Sequence, residues 1–182
     1  KLSEAICRQI GTIVHQPLPD GPSPYTELVT WISGTDRDYS VEIFTTNYDL
    51  LFEQALERTR VPYFDGFTGA CQPFFDPSSV ATNDLPSRWA RIWKLHGSLG
   101  WIPNARGEVI RTGQAKDSLL VFPEHLKYDQ TQKAPFAALF DRLRAFLMTP
   151  DTLHTTLGYF ASSLIWLHHG SRKPFLMSGL PM

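Results

Sequence analysis

Three short polar clusters each close an apolar run in this chain: Thr45-Thr46-Asn47-Tyr48-Asp49, His96-Gly97-Ser98 and Gly158-Tyr159. Together they offer an amide, a carboxylate, an imidazole and several hydroxyls. An imidazole titrates near neutrality, so His96 can exchange a proton at physiological pH. Gly97 admits close backbone approach by a ligand, and Ser98 can hydrogen-bond a phosphate or a ribose. Each residue also has a purely structural alternative. An isolated His is more often a hydrogen-bonding residue of the fold than a catalyst. Asn47 can serve as a helix N-cap, and Asp49 as a first-turn carboxylate suited to the helix dipole.

The elements that position these clusters follow from residue periodicity. Val41 to Thr45 carries Val41, Ile43 and Phe44, the branched and aromatic residues of a strand covered on both faces. The chain is predicted to turn over Thr46-Asn47 straight into a helix, with Asp49 and Glu53 near its positive end. Leu50, Leu51, Ala55 and Leu56 give that helix its apolar face. A strand that opens onto a helix N-terminus is where open α/β sheets take ligands, and its free amides favour phosphates.

Leu2 to Val14 has a helical period, and Pro17, Pro19, Gly21, Pro22 and Pro24 make a stiff linker. Tyr25 to Ser33 reads as a short helix stopped by Gly34. Arg91 to Leu95 is a second strand, ending at His96. Leu99 to Trp101 and Glu108 to Arg111 flank a hairpin turn at Pro103-Asn104 and Gly107. Leu119 to Phe122 is a short buried strand, and Thr152 to Tyr159 a last strand ending at Gly158. Ala134 to Leu147 is a helix with Phe136, Leu139, Phe140, Leu143, Phe146 and Leu147 along one side. Val61 to Ser87 is aromatic and rich in Gly and Pro, without a period. It is predicted to be a functional lid, an inserted subdomain or a rigid surface loop. The alternation of strands and helices points to an α/β fold, a Rossmann-like, mostly parallel sheet with flanking helices.

The 182 residues carry 42% hydrophobic and 19% charged side chains, which is globular composition. A net charge of −1 gives no global basic field for nucleic acid. Lys127, Arg142 and Arg144 could form a local basic patch, with solvated helix faces the plainer reading. Cys7 and Cys71 lack any C-x-x-C spacing, so neither a zinc ribbon nor a disulfide framework is expected, and no metal. That suits a reducing, cytoplasmic setting. There is no signal-peptide pattern and no apolar run of about 18 residues, so no membrane span is expected. Lys1 falls inside a helical pattern and no initiator Met precedes it. The chain therefore reads as one domain, 1–182, cut from a longer protein, with its core at 41–159 and an atypical tail at 160–182.

FTTNYD followed by KLHGS resembles the sirtuin family, whose pattern is T-Q-N-x-D and later H-G after a strand. It is most similar to the prokaryotic, defence-associated sirtuin-like branch. There FTTNYD, DGFTG with PFFDP, WKLHGS and a late KYDQ…RLRAFL helix recur in this order. The resemblance spans roughly Val41 to Gly158. It implies a Rossmann-like domain that binds NAD and breaks its nicotinamide–ribose bond. Asn47, Asp49 and His96 match the sirtuin Asn, Asp and His, and are the implied catalytic residues. Thr45, Thr46, Asn47, Asp49, Gly97, Ser98 and Gly158 are the implied NAD-binding set. Implied partners are NAD itself and further copies or fused defence domains, with nucleic acid met only through other domains or subunits.

The implied chemistry suits those residue types. Cleaving the glycosidic bond builds oxocarbenium character on the ribose, and an amide that positions water beneath the anomeric carbon helps. A carboxylate can orient the leaving nicotinamide, and a neutral imidazole can accept a proton from that water or a ribose hydroxyl. NAD hydrolysis to nicotinamide and ADP-ribose, in antiphage defence, is the expected activity. A non-catalytic NAD or ADP-ribose sensing or assembly module is the alternative. Protein deacylation is disfavoured, because the four zinc cysteines of sirtuins are absent. The Gly-rich phosphate turn of sirtuins would lie before Lys1. After Gly158-Tyr159 the family continues S-F-x-D-x-H-I-N, where this chain reads FASSLIWLHHG.

Overall fold

The computed structural model describes residues 9–82, 84–113, 118–120 and 133–149. The expected strand at Thr152 to Tyr159 with Gly158, the tail, Lys127 and Cys7 lie outside them. Residues 9–14 are helical, within the predicted first helix. Helix α1 (Pro24–Gly34) starts where the Ser23 side chain accepts the Thr26 amide and the Thr26 hydroxyl accepts the Ser23 amide.

Strand β1 (Val41–Thr45) has the predicted bounds and is buried along its whole length. Helix α2 (Leu51–Arg58) follows, and then strand β2 (Tyr63–Phe64). Strand β5 (Ala90–Lys94) lies between β1 and β2 and is parallel to both, with Val41 beside Ala90 and Thr45 beside Lys94. This parallel sheet, covered by helices, is the expected α/β arrangement.

Period-2 alternation sorts the sheet's side chains onto two faces. Val41, Ile43, Ala90 and Ile92 join Leu28, Val29 and Ile32 of α1 and Phe52, Ala55 and Leu56 of α2 in one apolar cluster. Phe44 and Trp93 face the other way, with Leu139 and Phe146 of helix α4 (Phe136–Leu147). Glu42 shares that second face. It accepts from Trp93 Nε1 at 2.7 Å and from Arg142 Nε at 2.9 Å, and Arg142 Nη2 completes a forked pair. Arg142 is thus not part of a solvated basic patch. It pins α4 to the sheet, while Arg144 stays exposed and pairs with Asp141. Leu147, predicted on the apolar side of α4, is instead 43% exposed at the helix end.

Within Val61 to Ser87 the described residues form short regular elements joined by turns. Strands β3 (Phe67–Thr68) and β4 (Phe74–Phe75) pair antiparallel, and helix α3 (Pro77–Ala81) is capped by Asp76. Strands β6 (Trp101–Pro103) and β7 (Val109–Arg111) form the expected hairpin, and β7 joins β4 to give the order β3-β4-β7-β6. Two-residue strands show no alternation in sequence, so only pairing with the distant hairpin reveals them. Phe67, Phe75 and Trp101 pack edge-on or tilted at ring distances of 5.1 to 6.2 Å and join this second sheet to the core.

Candidate active site

Thr45 ends β1 and Lys94 ends β5, neighbours in register, and beyond them both chains leave the sheet. Leu95 N donates to Thr45 O at 2.9 Å, and Leu99 N donates to Tyr48 O at 3.0 Å. The turn bearing Asn47 and Asp49 is therefore bonded, main chain to main chain, to the turn bearing His96, Gly97 and Ser98. All the predicted site residues meet at this edge, apart from Gly158 outside the described residues.

Within the first turn, Thr45 Oγ1 accepts the Asn47 amide at 3.1 Å and Asp49 Oδ1 accepts the Leu51 amide at 3.0 Å. Each bond spans two residues, the local turn chemistry of Thr and Asp. Asn47 is not the N-cap it was expected to be. The helix starts at Leu51, so Leu50 occupies the cap position without a side-chain bond, and Asp49 takes up an end amide instead. Residues 46–50 form a distinct turn, and all five are half-buried. Thr45 is buried, with its hydroxyl engaged inside the turn, so it shapes the site from below.

His96 is half-buried, and burial lowers its pKa below the ordinary value of 6.5. Burial favours the neutral imidazole that a proton acceptor needs. Gly97 has φ of +89°, and a Cβ there would collide with the Leu119 carbonyl. The close neighbour that requires glycine is the protein's own backbone, bridged through Leu120, in place of the expected ligand. Ser98 is only 1% exposed.

Three residues that the sequence reading passed over are built into this edge. Glu53, expected merely to favour the dipole of α2, is buried and pairs with Lys94 at 3.2 Å. Burial, the largest influence, pushes its carboxyl pKa up against the pull of Lys94. Tyr25 packs edge-on to Phe52 at 4.8 Å, and burial, then Asp49 and Glu53, push its hydroxyl up to about 12. It stays protonated beside the two acids. A lysine closing an apolar strand two residues before a candidate His was the signal available for Lys94. Glu53 and Ser98, with Leu50, Tyr63, Trp101 and Arg111, also line a cavity of about 130 Å³. There Glu53 Oε2 and Ser98 Oγ are buried without a hydrogen-bond partner among the described residues.

An amide, a carboxylate and a neutral imidazole thus stand at the carboxyl ends of adjacent parallel strands, where α/β sheets take nucleotides. A family model described as SIR2-like domain matches residues 41–159, from β1 through both turns and α4. The chain belongs to the SIR2-like family. Membership implies NAD as the ligand of this domain, and the polar groups at the strand ends suit such a ligand. No curated protein matches the SIR2-like chain. Among the described residues of the SIR2-like domain, no group of His, Cys, Asp or Glu is arranged to hold a metal. Nor is any described helix long and apolar enough to cross a membrane.

Proposed function

We propose that this SIR2-like domain hydrolyses NAD to nicotinamide and ADP-ribose, as the NAD-depleting effector of a cytoplasmic bacterial antiphage system. The carrying observation is the Leu99–Tyr48 main-chain bond, which ties the His96 turn to the Asn47–Asp49 turn at one sheet edge. In this reading the C1′–N bond to nicotinamide breaks as water bonds to C1′. Asn47 positions that water, Asp49 orients the carboxamide, and the neutral His96 takes the proton that water loses. Thr46 lies beside these groups and contacts the ligand, and Gly97 and Gly158 belong to the same set by resemblance. Further copies of the chain, or defence domains attached to it, are the proposed partners.

The test is to incubate the complete protein with NAD and follow free nicotinamide, with and without an acetylated peptide. Release without peptide is expected. Release that requires the peptide would make the protein a deacylase. NAD binding with no release would make it a sensing or assembly module.

A further inference from the structure

Resting on that reading, we infer that Lys94 is the positioning residue of the site. Its buried ammonium, backed by Glu53, holds the main chain of Asn47 and Asp49 in place. Lys94 is 1% exposed, so its charge must be met inside the protein. An ammonium has three donors and no acceptor. Three acceptors surround it: Asn47 O at 3.4 Å, Asp49 O in a short contact, and Glu53 Oε1 at 3.2 Å. Donors and acceptors match one for one.

Two of those acceptors are the carbonyls of the residues that carry the proposed chemistry. Of the 46–50 turn, only Leu50 O joins a helix ladder, by accepting the Gln54 amide at 2.9 Å, and a buried carbonyl outside such a ladder needs a donor. Thr45 Oγ1 holds this turn at residue 47 and Leu99 N holds it at residue 48. Lys94 alone among these three grips both 47 and 49. Glu53 sits one helical turn beyond Asp49, which lets α2 return a counter-charge to the same ammonium. A buried ion pair is a poor way to gain stability alone, since apolar residues of like volume often replace one without loss. Its value here is geometric, because misplacing a reacting group by about 1 Å can cost about a hundredfold in rate.

The test uses the double variant Lys94→Met/Glu53→Leu in the complete protein, which removes both charges together. It should melt within about 5 °C of wild type. Its kcat for nicotinamide release should fall about a hundredfold while KM for NAD stays within about threefold. A folded double variant with wild-type kcat overturns the inference. If that variant does not fold, Glu53→Gln takes its place, keeping a carbonyl acceptor but losing the charge. It should lower kcat by about tenfold and also lower the melting temperature, because the buried Lys94 charge loses its counter-charge, and wild-type kcat there also overturns the inference. Should the wild-type protein release no nicotinamide, the functional reading fails by itself. The clamp is then judged by hydrogen exchange at the Leu99 amide, which should quicken by about tenfold in either variant. Unchanged exchange would sink the clamp.

Discussion

At Asp49 one carboxylate oxygen accepts the Leu51 amide at 3.0 Å, so the side chain serves the fold before any ligand arrives. The two roles separate by substitution. Asp49→Asn keeps the acceptor and should melt close to wild type, yet lose most nicotinamide release if the charge orients the leaving group. Asp49→Ala loses the acceptor too and should cost about 0.5–2 kcal/mol in chemical denaturation. Equal stability of the two variants would deny Asp49 its capping bond. His96→Ala should abolish nicotinamide release while leaving a cooperative melt. The pH profile of kcat/KM should show an acid limb below 6.5, because burial lowers the imidazole pKa. The same shift gives a stability term that is present above the ordinary imidazole pKa. It declines as pH falls through the folded value, where the unfolded chain binds more protons. An acid limb above 6.5 would contradict this environment for His96.

Among the elements, helix α4 depends on a charge in the middle of a buried strand. Glu42 is 4% exposed and is held by Trp93 Nε1, Arg142 and, at 3.4 Å, Arg91 Nη1. Period-2 alternation put Glu42 on the α4 face beside Phe44, so its carboxylate meets Arg142 across the layer. Removing it would leave buried Arg91 and half-buried Arg142 without this acid. Glu42→Ala should therefore lose about 3–5 kcal/mol in a urea titration, against a smaller loss for Glu42→Gln. A change below about 1 kcal/mol would mean that α4 is held by Phe44, Leu139 and Phe146 alone. The turn 46–50 shows a second element-level rule. A good capping residue marks where a helix can begin, but the carbonyl grip of Lys94 on 47 and 49 goes with a start at Leu51.

For the whole molecule, three acids beside the proposed site, Glu53, Asp65 and Glu57, are each engaged by a side chain. Lys94 meets Glu53, Arg111 meets Asp65, and the Tyr63 hydroxyl donates to Glu57 at 2.8 Å. Treatment with a chelator should accordingly leave the melting temperature and NAD turnover unchanged. A stoichiometric zinc found by elemental analysis would overturn that expectation. What the sequence determined alone was local. The β1 bounds, the hairpin around Gly107, a helix over Ala134 to Leu147 and each of the motifs FTTNYD and KLHGS taken singly lie in short windows. In such windows side-chain period and turn residues act directly. Tertiary structure decided whatever depended on partners far along the chain. Glu42 and Arg142 are 100 residues apart and Lys94 and Asp49 are 45 apart, so no local pattern records either bond. The strands of Val61 to Ser87 were hidden for the same reason, since each is two residues long and exists only through its pairing. Asn47 shows the limit within a single residue. Its type suited a cap, but a cap is defined by where the helix starts, and buried contacts from β5 go with that start.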